Sequence, residues 1–218
     1  MFDWMKNLGG EAPGLHSMLE RFAEMISNGR HMFDLASNAV MGGADAEVVR
    51  SDLFETDKKI NHGEQQLRRD LVVHATVHGS STFPTCLVLM SIAKDAERIG
   101  DYCKNLYDIA ERRPLRRDDP DYDEFKAIKE ETSTLLGELL SVYVSQDETA
   151  AKTFLLKAEK VEDRCDRYVD HLVRTEGGSV RVVQALGARH MKRIAAHAKN
   201  IVTSVVMPID KLDYFDEH

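Results

Sequence analysis

The sequence predicts an all-α fold in which a three-helix unit occurs twice. Three observations support this prediction. Ala, Leu, Glu, Lys and Arg recur throughout the 218 residues, and this composition favours helix. No segment shows the sustained alternation of polar and apolar side chains that is typical of a strand. Glycines and prolines divide the chain into six segments, and the order of helices and breaks in the first half is repeated in the second.

The first half contains three expected helices whose ends are marked by specific residues. Gly42-Gly43 ends the first helix, because glycine readily adopts the backbone conformation that terminates a helix. Asp45 is placed to cap the second helix, and Pro84 lies at the start of the third. The expected helices cover about residues 14–41, from the cap at 45 to about 77, and 84–112.

The second half repeats this arrangement after a charged linker at residues 114–121, which contains two prolines. Asp147 is placed to cap the fifth helix, Gly177-Gly178 separate it from the sixth, and Pro208 follows the sixth. The expected helices cover about residues 122–144, from the cap at 147 to about 174, and 179–207. We therefore expect two domains, at residues 14–113 and 121–207.

A residue-level match supports an internal duplication. Arg98-Ile99 and Lys104-Asn105 of the third helix recur as Arg193-Ile194 and Lys199-Asn200 of the sixth, at a constant offset of 95 residues. The second and fifth helices also correspond on a helical wheel. Each carries a polar pair beside its apolar stripe, and these pairs are Asp57 with Asn61, and Glu162 with Asp166.

The third helix carries a dense group of acidic side chains. Glu97, Asp101 and Asp108 fall on one face of this helix. Like charges four residues apart on a helix repel each other, which costs roughly a few tenths of a kcal/mol. Solvent, a basic partner or a bound cation could offset this repulsion. Oxygen ligands from neighbouring helices suit magnesium, manganese, calcium or iron ions. The alternative is a solvated acidic face with Arg98 and Lys104 as counter-charges.

The run from Asp95 to Asn105, Asp-Ala-Glu-Arg-Ile-Gly-Asp-Tyr-Cys-Lys-Asn, resembles the signature of the PhoU family, which reads approximately Glu-Arg-Ile-Gly-Asp-His-Ala-x-Asn. The resemblance implies two tandem antiparallel three-helix bundles over about residues 14–207. It also implies a regulatory adaptor of phosphate uptake and phosphate-starvation signalling. The implied partner is a phosphate-transporter ATPase subunit or a sensor histidine kinase.

The resemblance further implies metal clusters, of divalent or iron-type ions, held by (Glu/Asp)-x-x-x-Asp motifs. The corresponding positions are Asp57, Asn61, Glu97, Asp101, Glu162 and Asp166, and at position 61 an Asn replaces the Asp of the motif. Lys192 stands where the first half has Glu97, and Ala196 stands where it has Asp101. Since an ammonium group repels a cation and alanine offers no ligand, we expect metal binding to be stronger in the first half.

Several function classes are disfavoured. The net charge of −8 argues against binding to duplex nucleic acid. No glycine-rich phosphate loop, nucleophile elbow or H-E-x-x-H motif occurs, so we expect no enzyme. The absence of Glu-x-x-His disfavours an oxidase-type di-iron centre. A metal-binding or metal-storage bundle and a plain helical scaffold remain as alternatives to the adaptor.

The sequence also gives expectations about the compartment. Cys86, Cys103 and Cys165 form no CxxC motif and fall at apolar helix positions, so we expect buried free thiols in a reducing compartment. Residues 1–10 lack the apolar core of a signal peptide, and the longest apolar stretch, residues 86–90, is too short to span a bilayer. We expect a cytoplasmic protein without a membrane span; association into a homodimer stays open.

Overall fold

A computed structural model describes residues 13–215, and within this range the chain forms six α-helices, two short 3₁₀ turns and no strand. The helices are α1 Pro13–Val40, α2 Ala46–His78, α3 Phe83–Arg112, α4 Tyr122–Ser145, α5 Glu148–Arg174 and α6 Ser179–Val206. The 3₁₀ turns are Gly79–Ser81 and Ile209–Lys211. The all-α prediction is confirmed, and the observed helix ends lie close to the expected ones. The expectation about residues 1–10 lies outside the described residues.

The helix ends show why the sequence signals were informative. The Asp45 side chain accepts a hydrogen bond of 2.9 Å from the backbone N–H of Glu47, and Asp147 caps α5 in the same way. Gly42 has a φ of +70°, and a Cβ at this position would lie 2.6 Å from the carbonyl oxygen of Leu115. The linker therefore packs directly against the end of α1, and only glycine fits there without strain.

The helices group as two bundles of three. Helices α1, α2 and α3 pack against one another, as do α4, α5 and α6, and the pairs α1–α4 and α3–α6 join the two groups. The apolar core is continuous across this junction, where the rings of Phe22 and Tyr143 meet edge to face at 5.1 Å. The tandem three-helix architecture is confirmed, and the domain limits at residues 14–113 and 121–207 stay a prediction.

Two further expectations can be compared with the structure. Cys86, Cys103 and Cys165 are buried free thiols, as predicted. Burial raises the pKa of Cys165 to about 12, which keeps this thiol protonated and unreactive at neutral pH. None of the helices within residues 13–215 is both long enough and apolar enough to cross a membrane.

Candidate functional site

The candidate site residues lie where the second and third helices of each bundle meet. We call the α2–α3 contact the first seam and the α5–α6 contact the second seam. The first seam consists of Asp57, Asn61, Glu64 and Arg68 of α2 with Lys94, Glu97, Arg98, Asp101 and Lys104 of α3. The second consists of Glu162 and Asp166 of α5 with Arg189, Lys192, Ala196 and Lys199 of α6.

Helical spacing and an antiparallel register build the first seam. On α2 the residues 57, 61 and 64 share one face, and on α3 the residues 97, 101 and 104 repeat the same spacing. Gly100 lies between the helices, and a Cβ there would lie 3.2 Å from Ile60 Cδ1. Because Gly100 has no side chain, α2 and α3 approach closely enough for their polar side chains to meet across the seam.

Lys104 occupies the centre of the first seam. Its Nζ lies 2.9 Å from Asp57 Oδ1 and 2.9 Å from Asp101 Oδ1, so one ammonium group joins the two helices. Asn61 Nδ2 donates a hydrogen bond of 3.1 Å to the other oxygen of Asp57. Burial alone would lower the pKa of Lys104, but hydrogen bonds to Asp101 and Asp57 raise it above the ordinary value for lysine. The ammonium group therefore stays charged.

About two helical turns from this centre, the first seam contains two more carboxylates, Glu64 of α2 and Glu97 of α3. Glu64 Oε1 lies 2.9 Å from Arg68 Nη2, and Glu97 Oε2 lies 2.6 Å from Lys94 Nζ. Both oxygens are buried, and neither accepts a well-aligned hydrogen bond. Burial raises the pKa of Glu64, and the charges of Lys94 and Arg68 offset this only in part. Ion pairs therefore neutralise the charge of both carboxylates, but one buried oxygen of each lacks a well-aligned hydrogen bond.

The second seam is built from separate ion pairs. Lys199 Nζ lies 3.0 Å from Glu162 Oε1, and Lys199 is only 5% exposed. Asp166 pairs with Lys192 and, at 3.2 Å, with Arg189. Lys192, which stands where the first half has Glu97, thus forms an ion pair with an acid of α5.

The structure shows residues that the sequence reasoning missed. Glu64 follows Asp57 by seven residues, and the same wheel arithmetic places it on the same face. The sequence predicts Lys104 only as a counter-charge near the acidic face, yet its ammonium group lies between two of the candidate ligands. Lys199 occupies the matching position in the second half, at the offset of 95 that the repeat gives. The repeat itself was therefore the available signal for both lysines.

The implied metal can be tested against this donor set. The seams bring Asp57, Asn61 and Asp101 together around Lys104, while Glu97, Glu162 and Asp166 each pair with a cationic side chain. Across residues 13–215, no three His, Cys, Asp or Glu side chains are arranged to hold a metal ion. As these side chains lie, the set does not fit a bound metal. Metal binding at the six residues stays a prediction that a binding experiment decides.

A further polar cluster joins the two bundles between α3 and α6. His197 Nδ1 lies 2.8 Å from Asp95 Oδ1, which also accepts a hydrogen bond of 3.0 Å from Asn200. The ring of Tyr102 lies against both His190, at 6.0 Å, and His197, at 5.6 Å. The offset of 95 relates Asp95 to His190 and Tyr102 to His197, so the contact has an approximate twofold symmetry. The two histidines therefore mediate contacts between helices.

Comparison with known proteins agrees with this architecture. The family model described as PhoU domain matches residues 22–110. The phosphate-specific transport system accessory protein PhoU homolog of Synechocystis sp. is 30% identical over 155 residues, which cover 69% of this chain and 68% of that protein.

Two crystal structures share the fold. PhoU from Pseudomonas aeruginosa has a TM-score of 0.78 at 20% identity, covering 90% of this chain and 97% of that one. The phosphate transport system regulatory protein PhoU from Streptococcus pneumoniae has a TM-score of 0.72 at 16% identity, covering 92% and 97%. The sequence match to the Synechocystis protein, together with the fold and the signature around Gly100, leads to one conclusion: this chain belongs to the PhoU family.

Proposed function

We propose that this chain is a cytoplasmic regulatory adaptor of phosphate uptake and phosphate-starvation signalling that acts by docking on partner proteins and not as an enzyme. The observation that carries the proposal is its 30% identity to a relative named as a phosphate transport accessory protein. The structural relatives are likewise named as PhoU or as a regulatory protein of phosphate transport. These names are those of accessory and regulatory proteins.

An exposed apolar surface at the end of the first bundle supports a docking role. Val73 and Val77 precede the turn Gly79–Ser81, and Phe83 and Leu87 follow it, so the hairpin carries all four to one end. Val77 is 70% exposed and Leu87 is 59% exposed. Clustered apolar side chains in water favour a protein contact because their burial releases free energy. We call these four residues the hairpin-tip surface.

The proposed occupant of the hairpin-tip surface is the ATPase subunit of a phosphate transporter. The Synechocystis relative is named as an accessory protein of a phosphate-specific transport system, and the surface lies within residues 22–110, which match the family model. A sensor histidine kinase is the second partner to be tested. For a regulatory contact of this kind we expect a dissociation constant of roughly 1 µM.

The test is a binding measurement between the full chain and the purified ATPase subunit. We expect Val77→Asp combined with Leu87→Asp to weaken binding at least about tenfold, because two charges are placed in an apolar contact. Val48→Asp is the matched control, since Val48 is an equally exposed valine at the other end of α2. All positions are on the surface, and circular dichroism verifies that helicity is kept.

Two results would count against the proposal. If the control weakens binding as much as the double variant, the hairpin-tip surface is not the docking site. If neither the ATPase subunit nor the sensor kinase binds at roughly 100 µM, the adaptor role itself is wrong.

A further inference from the structure

We propose that in this chain the ammonium groups of Lys104 and Lys199 are the resident cations of the two seams, so that neither seam holds a metal ion. Lys104 lies 2.9 Å from a carboxylate of each helix of the first seam, where a cation joining α2 to α3 would have to lie. Lys199 lies 3.0 Å from Glu162 in the second seam.

The same arrangement occurs in both halves of the chain, and this repetition also supports the proposal. Lys104 and Lys199 are related by the offset of 95, and each reaches from the third helix of its bundle to an acid on the second helix. The acids differ, since Asp57 serves in the first seam and Glu162 in the second. In the second half, Lys192 and Ala196 occupy the positions of Glu97 and Asp101. The lysine that reaches the neighbouring helix is nevertheless present in both halves.

The donor chemistry of the first seam also favours the ammonium over a divalent ion. Asn61 turns its amide N–H toward Asp57, so this side chain acts as a hydrogen-bond donor to that carboxylate. A metal at Asp57 and Asp101 would have to displace Lys104 from both carboxylates. The displaced ammonium would then lose both partners that hold it in this partly buried position, which is unfavourable.

In the second seam, replacement of the lysine ammonium by a metal ion is even less favourable. Lys199 is 5% exposed, so its ammonium group is largely shielded from water beside Glu162. Asp166 is already paired with Lys192 and Arg189. Each acid of this seam thus has a cationic neighbour supplied by the chain itself.

The experiment is a Mn²⁺ titration of the full chain after treatment with a chelator, followed by calorimetry. We expect no saturable binding by the parent up to roughly 1 mM Mn²⁺. Lys104→Met removes the ammonium and leaves Asp57, Asn61 and Asp101 facing one another, so this variant should gain one site with at least about tenfold tighter binding. Arg98→Met is the control, because it removes the same charge from a side chain 3.5 Å from Asp101 without opening the centre of the seam.

Several outcomes would overturn the proposal. Stoichiometric manganese, iron or zinc in parent protein purified without chelators would do so, as would saturable Mn²⁺ binding by the parent. Equal Mn²⁺ affinity in Lys104→Met and Arg98→Met would show that the ammonium does not exclude the metal. If Lys104→Met does not fold, Lys104→Gln replaces it. The melting temperature of the parent with and without Mn²⁺ gives a further readout. A metal that binds the native state would raise this temperature, whereas the proposal expects no change.

Discussion

In the first seam Lys104 is shared between Asp57 and Asp101, whereas in the second seam Lys199 pairs with Glu162 and a second lysine, Lys192, pairs with Asp166. The first seam also contains Glu64 on α2 and Glu97 on α3, and one carboxylate oxygen of each is buried. The first seam therefore combines four acids with four cationic side chains, whereas the second combines two acids with three cationic side chains. The comparison indicates that a bridging lysine is compatible with quite different sets of acids around it.

The largest expected effect concerns the two lysines. Lys199→Met should lower the free energy of unfolding by about 3 kcal/mol, because it leaves the Glu162 carboxylate without its ammonium partner in a largely buried position. Lys104→Met should cost only about 1 kcal/mol, since the Lys104 side chain is 25% exposed and water can solvate the acids it leaves. Urea unfolding at pH 7 measures both. Equal losses at the two seams would contradict the difference in burial on which the comparison depends.

A smaller effect should reveal the cost of burying the Glu64 carboxylate in the first seam. Because burial raises the pKa of Glu64, the native state binds more protons than the unfolded chain, and stability falls as pH rises from the unfolded pKa through the raised native one. Glu64→Gln removes this loss, so the variant should be more stable than the parent at pH 7, by less than about 1 kcal/mol, and no more stable near pH 4. Urea unfolding at several pH values measures the difference.

Glu124 of the second bundle provides the control of opposite sign. A hydrogen bond from Arg164 lowers the pKa of Glu124, so its contribution to stability is present above the unfolded pKa and is lost as pH falls through the native one. Glu124→Gln should therefore destabilise the protein at pH 7, and the difference should shrink on acidification. The same pH dependence in both variants would show that the two environments do not differ as described.

The smallest expected effect comes from making the second seam resemble the first. Ala196 stands at the position of Asp101, three residues before Lys199, so Ala196→Asp should allow one lysine to be shared between two acids. We expect a gain of about 0.2–0.5 kcal/mol in the free energy of unfolding. Ala196→Asn is the uncharged control of similar shape. A loss of stability in Ala196→Asp relative to this control would show that Lys199 cannot be shared as Lys104 is.

Much of the candidate site could be predicted from the sequence, but its chemistry could not. Helical spacing places Asp57 beside an apolar stripe and Glu97 with Asp101 on one face of α3, and the structure brings all three to the first seam. The same reasoning treated Lys104 as one of several counter-charges on a surface. Which cation meets which carboxylate depends on the register between α2 and α3, and no periodicity within one helix contains that information.

The six helices, their ends and their repetition could all be predicted from the amino-acid sequence. These features arise from local causes, such as the Asp45 and Asp147 caps and the positive φ of Gly42, which act within a few residues of chain. The contacts of Lys104 and Lys199 across the seams, and of Asp95 with His197 between the bundles, depend on how the helices pack. Those contacts join side chains far apart in sequence, and their energies depend on distance and on burial, which the packing of the helices sets.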